Sequence, residues 1–95
     1  MERGLVIEYF KNKIEGYKHQ DRKGKREIDE ENYIDLKWCV DNFKNGCGKC
    51  GVRFDFDKFN GKMSSNFTAQ RLENSIGHTK DNCVSWCRYC NCSAS

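Results

Sequence analysis

Cys47-Gly48-Lys49-Cys50 and Cys87-Arg88-Tyr89-Cys90 are the two stretches on which the fold turns. Each is a C-x-x-C pair. Two cysteines three positions apart reach one ion from a tight turn or a helical turn. Two such pairs make the ligand set of a tetrahedral four-thiolate zinc site. Gly46, Gly48 and Gly51 surround the first pair and suit a turn there. A redox C-x-x-C or a disulfide framework is the alternative. A redox pair belongs in a βαβ context, and nothing in this chain alternates that way. The chain has seven cysteines, an odd number. Met1-Glu2-Arg3 leads into only a short apolar run before Glu8, too short for a signal peptide. The expectation is an intracellular, non-secreted protein in a reducing compartment, where disulfides rarely persist. Of the other three cysteines, Cys39 reads as a small core residue. Cys83 reads as a thiol beside the site, and Cys92 as a residue trailing it.

A zinc staple also answers a compositional problem. Only eighteen of the 95 residues are Leu, Ile, Val or Phe, a fraction low enough to suggest disorder. Twelve aromatics and a net charge of only +3 argue for a real but thin core. A chain of this size buries roughly 60–65% of its unfolded surface, so a thin core needs reinforcement. No apolar run approaches the ~18 residues of a membrane span, so no membrane association is expected. No repeat or low-complexity tract is present.

Outward from the cysteines, periodicity sketches the elements. Val6, Phe10 and Ile14 share one face of a helix over 5–17. Residues 17–26 carry five Lys or Arg against one Asp and lack an apolar period, so they read as a basic loop. Tyr33, Leu36, Val40 and Phe43 mark a second helix, capped by Asp29 or Asn32 and ended by Asn45-Gly46. Residues 52–57 alternate as a half-buried strand. Residues 58–66 read as loop with an Asn60-Gly61 turn, and 67–72 as a second strand. Residues 74–80 read as a connection, and 82–92 as a helix capped by Asp81 or Asn82.

The segment from Phe67 through His78 and Asn82 to Cys87-Arg88-Tyr89-Cys90-Asn91 resembles the HNH, or ββα-metal, endonuclease motif. Its nearest branch is the zinc-stapled kind resembling recombination endonuclease VII. The likeness covers about residues 47–92. A looser one, at Tyr17 to Ile28 and the following helix, links the chain to HNH-like proteins of large viruses and mobile elements. The resemblance implies an α+β fold in a single domain over 1–95: a helical part with a basic loop at 1–45 and a zinc-stapled ββα-metal (HNH-like) core at 46–95. It implies structural zinc on Cys47, Cys50, Cys87 and Cys90, and a catalytic Mg²⁺ or other divalent ion on Asn91. Asn82 matches the residue that braces the connection.

Gln70 and Arg71 fall where the resemblance places the Asp-His pair of active members, the Asp binding the divalent ion and the His activating water. Gln70 is a weaker ligand for Mg²⁺ than a carboxylate, and Arg71 is a poor general base. Arg71 can instead stabilise charge on a phosphate. His78 is the nearest alternative base. The implied function is hydrolysis of nucleic-acid phosphodiester bonds, with DNA as the foremost partner. The alternative is a degenerate module that binds nucleic acid without cleaving it. Four thiolates outweigh the charge of one zinc ion, so attraction for a polyanion has to be local. Lys18, Arg22, Lys23, Lys25, Arg26 and Arg71 are the candidate phosphate contacts.

Overall fold

A computed structural model describes residues 3–59 and 62–93. The fold is α+β, with α1 at Arg3–Lys23, α2 at Leu36–Asn45, β1 at Phe56–Phe59, β2 at Lys62–Ser65, β3 at Phe67–Arg71, β4 at Cys83–Cys87 and α3 at Arg88–Ser93. The strands form two separate antiparallel hairpins, β1–β2 and β3–β4. In the second, Phe67 lies opposite Cys87 and Arg71 opposite Cys83. Among the described residues, no helix is long and apolar enough to cross a membrane.

The shortage of aliphatics is met by aromatic rings. Phe67, fully buried on β3, meets Phe54 at 5.1 Å, Phe10 at 5.6 Å and Phe43 at 6.0 Å between ring centroids. Phe43 also stacks on Phe56 at 4.5 Å. One cluster therefore ties α1, α2, the 54–56 segment and β3 together, mostly through edge-to-face contacts that suit the ring quadrupole.

Helix α1 runs through Lys23, so residues 17–23 of the expected basic loop are helical. Its buried face continues Phe10, Ile14, Tyr17, Asp21. The last member of that face is an acid, which an apolar pattern does not register, and Lys, Arg and Gln are good helix formers. The helix closes with the Lys25 N–H on Arg22 O at 3.1 Å and the Arg26 N–H on Asp21 O at 2.8 Å, with Lys25 at φ 58°. This is a Schellman closure with lysine where glycine is usual.

Helix α2 starts later than expected. Its cap is Asp35, whose carboxylate accepts the Trp38 N–H at 2.9 Å, and not Asp29 or Asn32. Tyr33 and Ile34 lie before the helix and pair with the connection after β3: Tyr33 bridges Thr79, and the Ile34 N–H donates to His78 O at 3.0 Å. Gly46 ends α2 at φ 81°, where an added Cβ would stand 3.0 Å from Val52 O.

Three further expectations give way. Residues 52–55 are not strand, because the Asn66 side chain takes up their backbone groups, accepting from Asp55 N–H at 3.0 Å and donating to Arg53 O at 3.1 Å. The strand instead lies at 56–59, and residues 62–65 of the expected loop are its partner; the Asn60-Gly61 turn falls outside the described residues. The expected helix over 82–92 is a strand through Cys87 and a helix only from Arg88. Its buried positions, Cys83, Ser85 and Cys87, alternate with period two against β3. Asn82 accordingly precedes a strand and caps no helix.

Candidate functional site

Two sites adjoin the β3–β4–α3 segment. The first is the cysteine cluster. Cys47 and Cys50 sit on a turn closed by the Gly51 N–H on Cys47 O at 3.0 Å, and the Gly48 N–H on Ser85 O at 2.8 Å fastens that turn to β4. Cys87 ends β4 and Cys90 lies in the first turn of α3. The four sulfurs all lie within 4.8 Å of one another, with Cys50 and Cys87 Sγ 3.8 Å apart. Thiolates about 2.3 Å from a tetrahedral zinc lie about 3.8 Å from each other. Burial raises the Cys47 pKa, but N–H groups of Cys50, Cys87 and Lys49 converge on its sulfur and hold it down at about 6. The cluster can hold a metal ion, and its all-thiol donor set fits zinc.

The second site is a cavity of about 320 Å³ between α1 and the β3–β4–α3 segment, lined by Lys13, Tyr17, Gln20, Thr68, Ala69, Gln70, Arg71, His78 and Asn91. It gathers Gln70, Arg71, His78 and Asn91 from three separate stretches of sequence. Asn82 stands outside it and knots the connection behind it. Its side chain accepts from the Glu73 N–H at 2.9 Å and donates toward Glu73, Ile76 and Gly77 carbonyls at 3.0–3.2 Å. A larger cavity of about 630 Å³, with Asp55, Asp57, Arg88 and Tyr89 in its wall, contains none of these four residues.

His78 is the most constrained group in the smaller cavity. It is 3% exposed and stacks on Tyr17 at 4.4 Å. Its Nδ1 lies 3.0 Å from Asp21 Oδ2, and its backbone N–H donates to the same oxygen at 2.9 Å. Asp21, fully buried, also accepts from the Tyr33 hydroxyl. Burial pulls the Asp21 carboxyl up, but the hydrogen bonds from Tyr33 and His78 outweigh it and hold it below the usual carboxylate range. For His78 the balance goes the other way. Burial lowers its pKa and outweighs the pull of Asp21. The imidazole is therefore neutral near pH 7, its Nδ1 proton faces Asp21, and its Nε2 keeps a lone pair. Among the described residues that Nε2 has no hydrogen-bond partner, and it is not sealed from solvent. Asp21 reaches the loop because position 77 is glycine; a Cβ there would stand 2.8 Å from Asp21 Oδ2 and Glu27 O.

The other walls are polar and lean positive. Arg71 Nη1 donates to Asn74 O at 2.6 Å. The amides of Gln70 and Asn91 donate to Arg71 O and Thr68 Oγ1 at 3.1 Å each, leaving their oxygens available. Among the described residues no Asp or Glu lines the cavity, whereas Lys13 and Arg71 do. Neutral amides beside two cations do not fit a divalent ion held by the protein, since Mg²⁺ sites are built on carboxylates.

The six candidate phosphate contacts divide. Arg71 lines the cavity. Arg22, Lys23 and Lys25 are exposed around the end of α1. Lys18 pairs with Glu30 at 3.3 Å. Arg26 is tied to Asn74 O, Gln20 O and Asp21. Sequence reasoning missed Asp21, Tyr17 and Lys13. The signal for Asp21 was its place one turn beyond Tyr17 on the buried face of α1. No protein-family profile, curated protein or solved structure matches the chain.

Proposed function

We propose that this chain is a zinc-stapled, HNH-like endonuclease that hydrolyses phosphodiester bonds of nucleic acid. The observation that carries the reading is the meeting of His78, Arg71, Asn91 and Gln70 around one cavity, with His78 oriented by a buried carboxylate. His78 Nε2 is the general base, taking a proton from the attacking water as its oxygen bonds to phosphorus; the P–O bond to the leaving sugar oxygen breaks, and that oxygen takes its proton from solvent. Asp21 is a positioning residue: it fixes the ring and its tautomer through Nδ1. Arg71 binds the non-bridging phosphate oxygens as negative charge builds on them. The amide groups of Asn91 and Gln70 orient the water and the sugar-phosphate backbone. Zinc on Cys47, Cys50, Cys87 and Cys90 holds β4 and α3 in register with the first cysteine turn. Arg22, Lys23 and Lys25 supply further backbone contacts, with DNA the foremost substrate.

The test is cleavage of labelled DNA and RNA by the zinc-loaded chain, comparing wild type with Arg71→Ala and Asn91→Ala. Loss of cleavage in Arg71→Ala supports the reading; undiminished cleavage in both variants rejects it. The absence of a carboxylate among the described residues that line the cavity favours a second reading, a module that binds nucleic acid without cutting it. Salt-sensitive binding with intact substrate in every condition would select that one.

A further inference from the structure

Lys13 lies on α1, outside every motif the sequence offers, yet its side chain lines the cavity with Arg71 and His78. It is half-buried and makes no ion pair among the described residues. Its ammonium faces the rings of Tyr9 and Tyr17, each 5.8 Å away. Removal from water, together with repulsion from Arg88, lowers its pKa. A nearby anion would repay that cost.

Two other donors in the cavity are also unspent. Arg71 uses Nη1 on the Asn74 and Ile76 carbonyls, and its Nε and Nη2 have no protein acceptor among the described residues. The Tyr17 oxygen accepts the Ala69 N–H at 3.0 Å, and its own hydroxyl proton has no protein acceptor there. The Nη1 bonds hold the guanidinium in place, and the Ala69 bond holds the phenol. An ammonium, a guanidinium edge and a phenol therefore share a cavity in which no described lining residue is a carboxylate. That arrangement calls for a compact anion rich in acceptors. The cavity volume of about 320 Å³ accommodates a phosphate group with part of a sugar.

We infer that Lys13, Arg71 and the Tyr17 hydroxyl form a phosphate clamp that holds a nucleic-acid phosphate without a divalent ion, the two cations supplying the charge such an ion would bring. The inference rests on the phosphodiester reading and adds a binding residue from α1 and a metal-independent mode of capture.

The experiment measures binding of a short fluorescein-labelled oligodeoxynucleotide to the zinc-loaded full chain, without Mg²⁺ and with millimolar Mg²⁺. Inorganic phosphate serves as competitor. Lys13→Met keeps the stem that packs on the tyrosines. Lys44→Met, at an exposed α2 position, makes the same change in net charge. Wild type is expected to bind equally with and without Mg²⁺ and to be displaced by phosphate. Lys13→Met should lose about tenfold, the equivalent of one charge-assisted hydrogen bond near 1.4 kcal/mol. Lys44→Met should change affinity by less than about twofold, as expected for an isolated exposed charge. Equal losses in the two variants, or wild-type binding that requires Mg²⁺, would overturn the clamp. Cleavage that requires Mg²⁺ and ignores Lys13→Met would overturn it too, while leaving the endonuclease reading standing. Binding that follows Lys13 with no cleavage in any condition would support the clamp and reject the endonuclease.

Discussion

The buried carboxylate of Asp21 gives the sharpest stability prediction. Its Oδ2 accepts from the Tyr33 hydroxyl, the His78 N–H at 2.9 Å and His78 Nδ1 at 3.0 Å, and Arg26 stands 3.5 Å from Oδ1. Asp21→Ala leaves three buried donors without an acceptor, each worth about 1–3 kcal/mol. Relaxation and water entry recover part of that, so the expected loss is about 4 kcal/mol, within the range for breaking a buried charged cluster. Asp21→Asn keeps one oxygen for Tyr33 and His78 but turns an NH₂ toward Arg26. It should cost about 2 kcal/mol through lost charge assistance. Tyr33→Phe removes one donor and should cost about 1 kcal/mol. The assay is urea unfolding followed by far-UV circular dichroism at one fixed free zinc concentration, since bound metal shifts apparent stability. Asp21→Ala within 1 kcal/mol of wild type, or an order other than Ala, Asn, Phe, would refute the assignment of Asp21 as the knot between α1 and the His78 loop.

Lys25→Gly should stabilise the chain by about 1 kcal/mol, because Lys25 pays the left-handed penalty at φ 58°; a lower melting temperature would contradict the Schellman closure. The pH dependence has a defined sign. His78 and Asp21 both have folded pKa values below their ordinary 6.5 and 3.8, so the unfolded chain binds more protons on the acid side. The His78 contribution is full above pH 6.5 and is lost as pH falls through the folded value. His78→Asn, measured at saturating zinc, should therefore show a shallower decline than wild type just below pH 6.5; parallel curves would contradict this. Zinc removal by a strong chelator should unfold the domain, since structural zinc contributes on the order of 10 kcal/mol and a whole domain is stable by about 5–15. Circular dichroism unchanged by the chelator, or metal analysis well below one zinc per chain, would dismiss the staple.

Legibility from sequence followed the range of each interaction. The cysteine quartet was plain because ligand spacing is written directly into the chain. The polar set of Gln70, Arg71, His78 and Asn91 was nameable from its likeness to a motif, and the fold brings those residues to one cavity. Asp21 was hidden because a lone acid among cations looks like a solvated loop, and only tertiary contact shows that it ends the buried face of α1. Lys13 was hidden because it sits on a helix whose apolar stripe absorbs attention. The strand at 83–87 was misread as helix because the C-x-x-C spacing and the Asn82 cap signal both suit a helix. Pairing with β3 decided otherwise. The β1–β2 hairpin escaped because Asn66 reaches back from beyond it to satisfy residues 53–55.

The central claim is that His78 Nε2 is the base of a phosphodiester-cleaving site. Its most direct test is single-turnover cleavage of a labelled oligonucleotide by zinc-loaded wild type and His78→Asn. The asparagine amide retains a donor for Asp21 and removes the basic nitrogen. General-base catalysis predicts a rate about 10²–10⁴-fold lower in the variant, with circular dichroism and zinc content unchanged. Equal rates in a variant that folds and holds zinc as wild type does would contradict the account.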